Sequence, residues 1–73
     1  MDSLKKQVGG KHYQDFVIPP VQFIQQNRLG FIEGCIIKYL CRYKKKHADP
    51  RLQLVDLKKA QHYLEMLVEI TGG

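Results

Sequence analysis

The stretch Phe31–Lys46, FIEGCIIKYLCRYKKK, decides how the rest of the chain is read. At 3.6 residues per turn, Ile32, Cys35, Ile36, Tyr39 and Tyr43 fall on one stripe, which Ile37 and Leu40 widen. That spacing predicts a helix with an apolar side. On another side Lys38, Arg42 and Lys45 follow at i, i+4 and i+7, so three cationic heads line up over about two turns. Gly34 stands one turn before Lys38. A glycine inside a helix costs about 0.5–1 kcal/mol against alanine, so its presence implies close approach by a neighbouring helix or a ligand.

Around this helix the punctuation is plain. Pro19-Pro20 opens an earlier helix, because Pro19 keeps Ile18 out of the helical region and Pro20 suits a first helical position. That first helix is expected over Pro20–Asn27 or Arg28. Val21, Ile24 and Phe23 form its apolar side and Gln22, Gln25 and Gln26 face water. Gly30 suits a left-handed turn at its end. After the second helix, His47-Ala48-Asp49-Pro50 is short enough to make the two long helices antiparallel neighbours. Asp49 is placed to cap a third helix that Pro50 begins. Leu54, Leu57, Ala60, Leu64 and Leu67 or Val68 give that helix its apolar stripe, flanked by Val55, Met66 and Ile70. Apolar residues surround much of it, as expected where one side packs within the subunit and another against a second chain.

The expected class is therefore all-α: a small helical hairpin of about three helices with an extended N-terminal arm. Residues 1–11 read as a flexible arm, because Gly9-Gly10 breaks any helix there, and residues 12–73 as one domain. A chain of 73 residues buries only about 60% of its unfolded surface. Cys35 and Cys41 are six apart in one helix, about 120° away from each other, and cannot pair. Free thiols suit a reducing, intracellular setting. With no disulfide or evident metal to add stability, a homo-oligomer is expected. No apolar run approaches the roughly 20 residues of a membrane span, and the N-terminus lacks the apolar core of a signal peptide.

The net charge is +5, and Lys38, Arg42, Lys44, Lys45 and Lys46 account for all of it. A localised patch implies an anionic partner: a nucleotide, a nucleic acid or an acidic protein surface. On the third helix Asp56, Lys59 and Tyr63 share one side at i, i+3 and i+7. They form either an intrahelical ion pair with a neighbouring tyrosine or a polar surface facing Lys38 and Arg42. In the second case the cations would hold phosphate. Asp56 would then meet a sugar hydroxyl, a cation or a water-bridged Mg²⁺, and Tyr63 would stack or donate. His12 and Tyr13, next to the double glycine, add an imidazole and an aromatic surface. His47 and His62 have no partner at ligand spacing, and no zinc pattern, phosphate loop or catalytic triad occurs.

In order along the chain, His12-Tyr13, Pro20, Phe23-Ile24, Phe31-x-x-Gly34-x-x-x-Lys38-Tyr39-x-x-Arg42 and Asp56-Leu57-x-Lys59-Ala60-x-x-Tyr63-Leu64 resemble the SaV-like family of small phage proteins. The basic run is longer here than that pattern, and Cys35 stands where a polar residue is frequent. The resemblance implies a phage origin. It also brings in a longer phage nucleotide kinase that carries this domain and phosphorylates deoxynucleoside monophosphates without a conventional phosphate loop. The expected function is a phage protein that binds or sequesters a phosphorylated nucleotide, cyclic ones included, as an oligomer in the cytoplasm of an infected bacterium. Other small phage proteins withhold the cyclic nucleotide signals of bacterial immunity, which makes an anti-defence role the analogous use. The expected site combines His12, Tyr13, Lys38, Arg42, Lys45, Asp56, Lys59 and Tyr63, needs no cofactor for binding and contains no resident metal. A deoxynucleoside monophosphate kinase using Mg²⁺ with its nucleotide is the enzymatic alternative. A nucleic-acid or host-protein binding module using Arg42–Lys46 is the third reading.

Overall fold

A computed structural model of the chain describes residues 16–73; the expected arm, His12 and Tyr13 lie outside them. Helix α1 spans Pro20–Gln26, α2 spans Phe31–Lys46 and α3 spans Pro50–Gly72. No strand occurs among the described residues, and none of the helices is long and apolar enough to cross a membrane. The domain is all-α, as its periodicity requires.

The connection between α2 and α3 is fixed by local chemistry. Asp49 Oδ1 accepts from the backbone N–H of Arg51 at 2.9 Å, satisfying one of the donors left free at a helix start, and Pro50 takes the first helical position. The Gln53 amide then donates to the His47 carbonyl at 2.7 Å, tying the turn to the first coils of α3. The two long helices run antiparallel: Tyr39 meets Tyr63, Arg42 meets Asp56 and His47 meets Gln53, so one number falls as the other rises.

The end of α1 differs from the expected turn. Arg28, not Gly30, adopts the left-handed conformation, with φ 55°. Arg28 N–H bonds to the Gln25 carbonyl at 3.1 Å and Leu29 N–H to the Ile24 carbonyl at 3.0 Å. Those paired bonds make a Schellman motif, which satisfies carbonyls that the helix end leaves open. Gly30 instead caps the start of α2 in extended backbone, φ −71° and ψ 171°. The Glu33 carboxylate folds into the space that a side chain at residue 30 would fill. That places a negative charge at the N-terminus of α2, where the helix dipole favours it.

Gly34 is buried, and the reason is a helix. A Cβ there would lie 3.1 Å from the Cγ2 of Ile24, so the missing side chain lets α1 close onto α2. Pro20 is buried and Ile24 half-buried, whereas Val21 and Phe23 are exposed, so the apolar side of α1 is narrower than expected.

The packing stripe of α3 also departs from expectation. Residues turned toward α2 are Gln53, Asp56, Leu57, Ala60, Tyr63 and Leu67; Asp56 and Ala60 are buried and the others half-buried. Leu54 and Leu64 are half exposed, at 51% and 50%, and Val68 is exposed at 62%. The physical reason is Asp56. Its carboxylate has a cationic partner on α2, and bringing the two together rotates α3 away from the purely leucine phase.

Candidate functional site

Along the hairpin, α2 supplies Tyr39 and Arg42, α3 supplies Asp56, Lys59 and Tyr63, and the turn adds His47. Asp56 is 2% exposed. Its Oδ2 lies 3.4 Å from Arg42 Nε and 3.3 Å from His47 Nε2. Arg42 Nε and Asp56 Oδ2 are both buried and, by strict geometry, lack a hydrogen-bond partner. What holds them is charge in a poorly solvated space, where Coulomb attraction is stronger than in water. Of the two alternatives for Asp56, the intrahelical pair with Lys59 does not form: the carboxylate faces Arg42 across the hairpin.

Tyr39 is the centre of the cluster. The Arg42 guanidinium carbon sits 4.5 Å from its ring centroid and Lys59 Nζ sits 5.7 Å away. Both distances fall within cation–π range, worth about 0.5–1 kcal/mol at exposed sites. The Tyr63 ring stacks on Tyr39 with centroids 6.1 Å apart and planes 22° from parallel. The Tyr63 phenol titrates above its ordinary range. The main cause is the negative charge of the nearby Cys35 sulfur once ionised, with desolvation and a hydrogen bond to Cys35 acting the same way. Cys35 and Cys41 are free thiols, and partial burial pushes Cys41 up.

Of the expected site residues, the structure brings Arg42, Asp56, Lys59 and Tyr63 together. Lys45 goes elsewhere, its Nζ 5.0 Å from the Phe16 ring. Lys38 is exposed one turn before Arg42 on the same side of α2. Tyr39 and His47 are the cluster members that the sequence reading did not include. Tyr39 counted as core because it sits on the apolar stripe, although the Tyr39-x-x-Arg42 spacing carries a signal, since residues three apart meet on a helix. His47 meets Asp56 only because the turn folds it back, so no local spacing marks it. Among the described residues no three histidine, cysteine, aspartate or glutamate side chains gather as a metal site.

The arrangement can present two cations beside a stacked aromatic pair, with the one carboxylate of the cluster buried behind them as a counter-charge. It defines a small helical hairpin whose site is cationic and aromatic. The profile of a family described as a protein of unknown function, DUF3310, matches residues 7–65. That is well over half of the chain, which therefore belongs to this family. No curated protein and no solved structure matches the chain.

Proposed function

We propose that the protein binds a phosphorylated nucleotide, with Lys59, Arg42 and the exposed Lys38 meeting phosphate and the Tyr39–Tyr63 pair meeting the base. The observation that carries this reading is the gathering of Arg42 and Lys59 against one tyrosine ring that is itself stacked on a second. Phosphate favours charge-assisted bonds from lysine and arginine. A nucleobase favours an aromatic platform, at about 1–3 kcal/mol per stacked base. Asp56 takes the role of a positioning residue, fixing Arg42 rather than touching ligand. His12 and Tyr13 remain candidate members of the site from the sequence. The chain's small size and basic charge, by analogy with small phage proteins that sequester cyclic nucleotide signals, support withholding of a nucleotide by an oligomer as the biological use.

Binding is favoured over phosphoryl transfer for a specific reason. The kinase reading uses Asp56 to place Mg²⁺, and that carboxylate is enclosed between Arg42 and His47. Titration calorimetry with mono-, tri- and cyclic nucleotides tests the proposal. Submillimolar binding to at least one is expected, weakened about tenfold in Lys59→Ala, the loss of one charge-assisted bond, in a protein that stays folded and helical by circular dichroism. No binding below millimolar to any of them would end it. ADP release from ATP with dTMP or dGMP would instead establish the kinase.

A further inference from the structure

The side of α3 turned away from Tyr63 and Lys59 is unpartnered. Leu54, Gln61, Leu64 and Val68 recur on it at seven-, three- and four-residue steps, a spacing by which helices pair along a seam, and Leu57, half-buried against α2, marks its border. Of these, Leu54, Leu64 and Val68 are half exposed or more. An open depression on the same side is lined by Gln61, Leu64, Glu65, Val68 and Glu69. Seven residues apart, Lys58 and Glu65 border the seam on one edge, both exposed.

We infer that this seam is where a second copy of the chain docks, with the two α3 helices antiparallel about a two-fold axis near Gln61 and Leu64. The charges select that occupant and that direction. In the antiparallel arrangement Lys58 faces Glu65 of the partner subunit, and symmetry forms the pair twice. A parallel arrangement would put the Lys58–Glu65 edges of the two copies on opposite sides of the seam, where neither charge meets the other. From Leu54 to Val68 the seam runs about 21 Å at 1.5 Å per residue. A seam of that length on one helix belongs at the small end of specific interfaces, which bury about 1,000 Å² or more in total. The dimer is therefore expected at micromolar concentrations rather than as an obligate unit. This docking specifies the oligomer of the proposed function but uses none of the Tyr39–Tyr63 cluster. Mass measurements test it, so its failure leaves nucleotide binding standing and the reverse also holds.

Sedimentation equilibrium on the full chain provides the test. The wild type should be a dimer at tens of micromolar, and Leu64→Glu a monomer whose circular dichroism stays helical. Because Leu64→Glu can also disturb folding, exposed charges give the second arm. Lys58→Glu alone should raise the dissociation constant about tenfold, through two like-charge contacts that each undo an exposed pair. Lys58→Glu with Glu65→Lys should restore it. A monomeric wild type at about 100 µM, where even a weak specific interface is mostly formed, would overturn the inference. So would a double swap that stays as weak as the single one.

Discussion

Arg42→Ala removes one side of a buried charge pair and leaves the other in place. Asp56 is 2% exposed, so water cannot fully replace the guanidinium. An uncompensated buried charge costs about 3–5 kcal/mol. The Arg42 side chain is 16% exposed, so its removal lets some water reach the carboxylate and holds the loss near the lower end, about 3 kcal/mol. A chain of this length has about 4–10 kcal/mol of stability in all. The substitution thus takes a third of it or more and lowers the melting temperature by about 12–24 °C, at about 4–8 °C per kcal/mol. Thermal unfolding followed by far-ultraviolet circular dichroism reads this directly. Replacing both partners, Arg42→Leu with Asp56→Leu, should return stability to within about 1 kcal/mol of wild type, because an apolar pair needs no charge compensation. A fall below about 5 °C in Arg42→Ala, equivalent to less than about 1 kcal/mol, would refute the pairing that sets the phase of α3.

Three further outcomes follow from the local geometry. Arg28→Gly should stabilise the protein by about 0.5–1 kcal/mol, because Arg28 holds a left-handed conformation that glycine adopts without strain; urea titration at constant slope checks it. Gly34→Val should destabilise by about 1–3 kcal/mol by driving Ile24 and α1 off α2, visible as lost protection of the α1 amides in hydrogen exchange. Asp49, held below its ordinary carboxylate range by Arg51, should titrate below 3.8 in a carboxyl-resolved NMR series. Since its folded value lies below its unfolded one, its contribution is present above pH 3.8 and fades as the pH drops through the folded value; Asp49→Asn should flatten that part of the acid-unfolding curve.

Most of the hairpin was legible because its signals are local. The Asp49-Pro50 start of α3 acts between neighbours in sequence, and so does the short turn that makes α2 and α3 antiparallel. The phase of α3 was not legible, because the helix is apolar on nearly every side and a 3.6-residue period then fits several stripes. Leu54 and Leu64 look as suitable for the interior as Leu57 and Leu67. The site was read in half-measure for the same reason. Charge spacing marked Arg42, Asp56, Lys59 and Tyr63 but could not tell which of them touch, and it gave no hint of His47.

By itself the sequence determined the number of helices, where the second long one begins, and the concentration of positive charge on α2, each set by interactions within a few residues. Only the tertiary structure decided that Asp56 turns inward to Arg42 and His47, that Ile24 occupies the space left by Gly34, and that Leu54, Leu64 and Val68 are left facing outward. Those outcomes depend on residues far apart in the chain. A buried carboxylate finds its counter-charge only once two helices have met.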